Sequence, residues 1–253
     1  MNPLYLSHHF DLSPHRIGLF LDVDGTLLDL APSPDAVEVP AALLADLAAI
    51  ERRLGGALAL VSGRPIAELD RLFPLGLKAS GVHGAEIRGT ANGAATALTQ
   101  ARLPDTAWQE LQLLLQRFPR TFAENKGVDF TIHHRFSDSE KAPLRTALTD
   151  FTAGLPGYDL DLVAGHLVFE IRPAGFHKGK AIERFMAVSP FAGRCPVFIA
   201  DDPLDQPGFD AALRLGGFAF SVGEERPGLS GWFPEPQAVR TWLGEIAQCQ
   251  STP

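Results

Sequence analysis

The sequence predicts an α/β fold: a doubly wound parallel sheet with an inserted α+β module. Three observations predict it. Short apolar runs alternate with helical patterns from residue 17 to 86 and again beyond 177. Between them the pattern changes to two-residue alternation, as in antiparallel strands covered on one face. Several apolar runs also stop abruptly at polar residues, and in open α/β sheets ligands bind outside the carboxyl ends of strands.

Residues 1–15 carry no periodicity and are expected to form a loosely held arm. Ile17 to Leu21 is a buried strand ending at Asp22-Val23-Asp24-Gly25-Thr26-Leu27. Ala31 to Asp35 is a loop, and Pro40 opens a helix carrying Leu43, Leu44, Leu47, Ile50 and Leu54, closed by Gly55-Gly56. Ala57 to Val61 is a second strand, ending in Ser62-Gly63-Arg64, with a helix from Pro65. Lys78 to Val82 is a third strand, followed by His83-Gly84-Ala85-Glu86.

Gly89 to Thr96 then reads as a loop or hairpin. Asp105 caps a helix running from Trp108 to Phe118. Phe122 to Glu124 and Val128 to His134 flank a turn at Asn125-Lys126-Gly127, with Asp129, Thr131, His133 and Arg135 expected on one face. A helix over about 140–151 and a strand from His166 to Arg172 complete the module. That strand is expected to have an apolar face of Leu167, Phe169 and Ile171 and a polar face of His166, Glu170 and Arg172. His177-Lys178-Gly179-Lys180 opens a helix to Met186, and Pro196 to Ala200 is a strand ending in Asp201-Asp202-Pro203-Leu204-Asp205. Phe218 to Val222 is a further strand and Pro236 to Ile246 a closing helix. The expected division is 1–102 for the first core segment, 103–174 for the insert and 175–253 for the second core segment.

A hydrophobic share of 45% is ample for a core, and a net charge of -8 argues against nucleic-acid or anionic-membrane partners. Cys195 and Cys249 lie far apart and form no disulfide framework. His8, His9, Asp11 and His15 interrupt the start of the chain, and no apolar run approaches the ~18 residues of a membrane span. A soluble, cytoplasmic protein is expected.

Asp22 and Asp24, two residues apart on an ideal strand, would share a face at the mouth of a site. Carboxylates so close resist joint ionisation unless a cation or reacting group joins them. One can attack phosphorus while its neighbour shuttles a proton. Each polar position also has a plainer reading: an acidic turn at Asp22 and Asp24, a helix cap at Ser62, a solvated helix start at Lys178, a loop cap at 201–205. Together they meet what phosphoryl transfer requires. A magnesium ion held by carboxylates cancels repulsion between nucleophile and phosphate, while Ser62 and Lys178 supply donors to phosphate oxygens.

The ordered set of Asp22-Val-Asp-Gly-Thr-Leu, Ser62-Gly-Arg, Lys178 and Asp201-Asp202-x-x-Asp205 resembles the haloacid dehalogenase (HAD) superfamily. An insert between its second and third motifs is where that superfamily carries a C2-type cap, implying a HAD-like Rossmannoid core. Gly81-Val-His-Gly-Ala-Glu86, Glu124-x-Lys126, His133-x-Arg135 and Glu170-Ile-Arg-Pro173 are similar, more narrowly, to the trehalose-6-phosphate phosphatases.

The resemblance implies magnesium-dependent release of trehalose and phosphate from trehalose 6-phosphate, in trehalose biosynthesis, with possible coupling to a trehalose-6-phosphate synthase. It makes Asp22 nucleophile and metal ligand, and Asp24 general acid/base and metal ligand through its backbone carbonyl. Ser62, Gly63 and Lys178 bind phosphate, Asp201 binds metal, and Asp202 and Asp205 support the metal shell. Glu124, Lys126 and Glu170 meet the hydroxyls of the distal sugar, under a cap expected to close over it. His133, Arg135 and Arg172 take structural or phosphate-screening roles.

Where the family usually reads Gly-Asp-Asp-x-Thr-Asp-Glu, this chain has Ala200, Leu204 and Gln206, which implies weaker magnesium binding. His134 stands where an aromatic is common. A sucrose- or mannosyl-phosphate phosphatase, or a non-catalytic sugar-phosphate sensor, are the alternatives.

Overall fold

The computed structural model describes residues 16–31, 37–99, 102–137, 139–165 and 167–248. The expected N-terminal arm, most of the loop after Ala31, and His166 lie outside the described residues. The chain divides into two compact units, residues 97–176 and the remainder.

The first unit is built on β1 (Ile17–Leu21), β2 (Leu58–Val61), β3 (Lys78–Gly81), β4 (Glu86–Arg88), β5 (Thr96–Ala97), β10 (Cys195–Ala200), β11 (Phe218–Val222) and β12 (Gly231–Phe233). They form one sheet in the order β12-β11-β10-β1-β2-β3-β4-β5. All pairs from β12 to β3 are parallel, and β4 turns back antiparallel to β3. β1 sits centrally and every one of its residues is buried, which is why it reads as a continuous apolar run.

Helices α1 (Ala41–Arg53), α2 (Ile66–Leu72), α5 (Lys178–Met186), α6 (Gln206–Arg214) and α7 (Pro236–Gln248) belong to this unit. In α1, Leu43, Leu47 and Ile50 recur at helical spacing and are buried, while Arg52 and Arg53 complement the negative end of the helix dipole. Side chains from α1, α2, α5, α6 and α7 join those of the central strands in one apolar cluster, including Phe20, Phe185, Phe198, Phe209 and Trp242.

The second unit has a sheet in the order β6-β7-β9-β8, formed by β6 (Thr121–Asn125), β7 (Phe130–His134), β8 (Leu160–Gly165) and β9 (Val168–Pro173). Every pairing is antiparallel. Helices α3 (Asp105–Leu115) and α4 (Ala142–Ala153) share an apolar cluster with one face of it: Leu111, Leu144 and Leu148 meet Phe130, Ile132, Phe169 and Ile171.

Several expectations need correction. Strands β4, β5, β8 and β12 and helix α6 are additional to the elements expected from the sequence. Asp105 is the first helical residue, with Pro104 at the cap position, so its carboxylate acts through the helix dipole in the first turn. Leu167 precedes β9 with a left-handed backbone (φ +55°) and is exposed, so it contributes nothing to the apolar face. Glu170 and Arg172, on the other face, are buried and paired with each other at 3.0 Å.

Candidate active site

The site forms where the parallel strands of the first unit end. The β1–β10 ladder extends one residue, with Asp22 N donating to Ile199 O at 3.0 Å, so Asp22 stands beside the start of the Asp201 loop. The turn after β1 is drawn tight, with Leu27 N and Leu28 N both donating to Val23 O at 2.9 Å. Thr26, fully buried, directs Oγ1 to Asp201 Oδ1 at 3.3 Å. Gly25 lies between them at φ +74°, and a Cβ there would come within 2.1 Å of Asp201 Oδ2. Only glycine permits both that conformation and that approach.

Lys178 opens α5, whose first turn is capped by the His177 ring accepting from Lys180 N. Its ammonium bridges two acids, 2.7 Å from Asp22 Oδ1 and 2.5 Å from Asp205 Oδ1. All three residues are buried. Asp205 is oriented by its second oxygen, which accepts from Asp202 N at 3.1 Å, while Asp202 Oδ1 accepts from Leu204 N at 2.8 Å. This reciprocal capping box organises the loop, so Asp202 faces its own backbone turn. Arg226 Nη2 donates to Asp201 O and holds the loop from the far side.

One carboxylate oxygen from each of Asp22, Asp201 and Asp205 lies within 4.8 Å of the others. Burial, then the proximity of Asp205, pushes Asp201 up to about 7 despite Lys178. Burial also raises Asp22 well above the ordinary carboxylate range, with Lys178 opposing and Asp205 and Asp201 reinforcing. Lys178 is depressed by burial, yet Asp205 and Asp22 outweigh this and hold it well above its ordinary value. One ammonium thus serves three carboxylates. Hard oxygen donors with surplus negative charge suit magnesium, so the residues fit the ion expected from the sequence.

The second strand end supplies a different arrangement. Ser62 Oγ accepts from Arg64 N at 3.1 Å, a local turn, while Pro65 takes the cap position of α2. Arg64 reaches across to Asp24 with two nitrogens, and its third contact is Glu68 at 3.3 Å. Behind this loop Val82 and His83 adopt φ of +46° and +53°. Consecutive left-handed non-glycine residues, one β-branched, mark strain of the sort concentrated at functional sites. Val82 N donates to Arg64 O and His83 N to Ser62 O, both at 3.1 Å. The imidazole fills the place a Gly63 side chain would take, 2.5 Å from the Cβ position. Glu86 Oε2 accepts from Ile66 N at 2.8 Å, tying the end of the same segment to α2.

Asp22, Asp201, Asp205 and Lys178 therefore converge directly. Asp24 is engaged by Arg64, and Ser62 and Gly63 form the neighbouring turn. Sequence reasoning assigned no role to Thr26, Arg64 or Arg226; the first two sit inside the motifs already singled out, whereas nothing local marks Arg226. The altered metal-loop residues also have definite surroundings, with Leu204 buried and Gln206 Nε2 donating to Asp210 Oδ1 at 2.8 Å.

In the second unit, Glu124 and Glu170 lie on the sheet face opposite the apolar cluster, each level with Thr131, and Lys126 stands in the turn after β6. Glu124 Oε1 lies 2.6 Å from His133 Nε2. Among the described residues no helix is long and apolar enough to cross a membrane.

Comparison with known proteins places these features in context. The sequence model of the trehalose-phosphatase family matches residues 20–226. A probable trehalose-phosphate phosphatase of Sinorhizobium fredii is 38% identical over 235 residues, covering 90% of this chain and 87% of that protein. The trehalose-6-phosphate phosphatase of Escherichia coli K12 is 39% identical over 236 residues, covering 90% and 85%. The C-terminal domain of the Candida albicans trehalose-6-phosphate phosphatase superposes with a TM-score of 0.77 at 19% identity, covering 99% of this chain and 98% of that one.

Proposed function

The chain belongs to the trehalose-phosphatase family, and from that premise we propose that it hydrolyses trehalose 6-phosphate through a phosphoryl group carried transiently on Asp22. The observation that supports this most is the buried Asp22 carboxylate at a strand end, 2.7 Å from Lys178 and beside Asp201 and Asp205.

A carboxylate oxygen of Asp22 attacks phosphorus, and the bond from phosphorus to the sugar 6-oxygen breaks. Asp24 delivers a proton to that departing oxygen, giving trehalose. Asp24 then takes a proton from water, which attacks the phosphorus of the aspartyl phosphate, and Asp22 is regenerated as inorganic phosphate leaves. Ser62, Gly63 and Lys178 hold the phosphate oxygens, the ammonium also offsetting charge that builds during transfer. Asp22, Asp201 and the backbone carbonyl of Asp24 would hold magnesium, supported by Asp205 and Asp202. When bound, the ion supplies positive charge that lets an anionic nucleophile approach an anionic phosphate.

Glu124, Lys126 and Glu170 are assigned to the hydroxyls of the distal sugar, since carboxylate and ammonium groups bond a polyol well. The substrate would come from a trehalose-6-phosphate synthase in the cytoplasm. A panel of sugar phosphates tests the reading: selective phosphate release from trehalose 6-phosphate is expected, and equal rates on all members would refute the trehalose assignment.

A further inference from the structure

Phe122 lies on the same sheet face as the proposed sugar contacts and has no role in the reaction as described. It is 59% exposed on β6, on the side away from the apolar cluster around α3 and α4. Strand alternation places it beside Glu124, and across the ladder it stands directly opposite His133. The two rings stack with centroids 6.0 Å apart and planes inclined by 26°. His133 Nε2 in turn meets Glu124 Oε1 at 2.6 Å. The three residues form a continuous row: an exposed aromatic ring, an imidazole and a carboxylate.

A glucopyranosyl ring presents hydroxyls around its rim and C–H bonds on its faces. Carboxylate, ammonium and imidazole groups serve the rim and leave the faces without a partner. A flat apolar ring removes those C–H groups from water. The stack on His133 restrains the Phe122 ring in advance, lowering the entropy lost when a ligand settles on it.

We infer that Phe122 is the stacking platform for the distal glucosyl ring of trehalose 6-phosphate, with the His133–Glu124 pair bonding hydroxyls at its edge. The inference rests on the sugar-phosphate reading above and adds the apolar half of the sugar subsite to it.

The test compares wild type with Phe122→Ala, Phe122→Leu and Phe122→Trp, reading both turnover and calorimetric binding of trehalose. In the Ala and Leu variants KM for trehalose 6-phosphate should rise about three- to tenfold with kcat within about twofold, and Trp should stay near wild type. Trehalose affinity should weaken by the same factor, while calorimetric binding of glucose 6-phosphate, which lacks the distal ring, should be unchanged. Unchanged KM and trehalose affinity in Phe122→Ala would overturn the inference. So would a lowered melting temperature with intact KM, the mark of a cross-strand pair that only stabilises the hairpin. The binding arm separates this inference from the catalytic reading. A wild type that binds trehalose through Phe122 yet releases no phosphate would overturn the catalytic reading and support the platform.

Discussion

Arg64 grips both carboxylate oxygens of Asp24, with Nε 2.7 Å from Oδ2 and Nη2 2.7 Å from Oδ1. Such a two-point fork fixes orientation as well as charge. Arg64 is itself buried and braced by Glu68, so the fork is anchored at the start of α2. It fixes the orientation of Asp24, the group proposed to give a proton to the departing sugar oxygen and later to take one from water.

Replacing Arg64 should therefore affect turnover more than binding. Arg64→Ala is expected to lower kcat at least about tenfold with a small change in KM, because a general base loses its orientation. Arg64→Lys keeps the charge without the planar fork and should recover only part of the loss. Steady-state kinetics on trehalose 6-phosphate decides it, and wild-type kcat in both variants would contradict the role.

Lys178 is the only ammonium between Asp22 and Asp205 among the described contacts. Lys178→Met keeps length and bulk but strands two buried carboxylates, at a cost of about 3–5 kcal/mol. Thermal unfolding should show a lower midpoint, partly restored by magnesium, and phosphate release should be abolished. A midpoint equal to wild type without magnesium would show that the acids do not depend on the ammonium.

The acid cluster also sets a pH dependence. Asp201 titrates at about 7 in the folded protein against an ordinary value of 3.8, and Asp22 is shifted in the same direction. The folded state thus retains protons that the unfolded chain has released. Its contribution to stability is complete below 3.8 and is lost as pH rises to about 7. Magnesium held by ionised carboxylates offsets that loss. The rise in melting temperature on adding magnesium should be larger near pH ~8 than near pH ~5. Equal shifts at both would contradict the assignment of the ion to these acids.

The parallel core was legible because β1, β2 and β10 are apolar runs buried on both faces. β12 and β4 hold three residues each, too few to establish a period. β8 carries Leu160 and Leu162 against Asp161, but it is an edge strand and its residues are only partly covered, which blunts the alternation. Helix α6 begins within the acidic loop and contains Pro207 and Gly208, residues that read as turn. The acids of the site could be named from their motifs. The bond from Arg64 to Asp24 spans 40 residues, and a relation at that distance has no local signature. Phe122 escaped for another reason: one exposed aromatic in an alternating strand is indistinguishable by pattern from an inward-facing one.

The central claim is that Asp22 carries the phosphoryl group. Its most direct test is phosphate release from trehalose 6-phosphate with magnesium, comparing wild type with Asp22→Asn and using glucose 6-phosphate and sucrose 6-phosphate as controls. Selective release by the wild type that vanishes in Asp22→Asn, with the variant still folded, is the predicted result. Release that persists in Asp22→Asn would contradict it and move the nucleophile elsewhere.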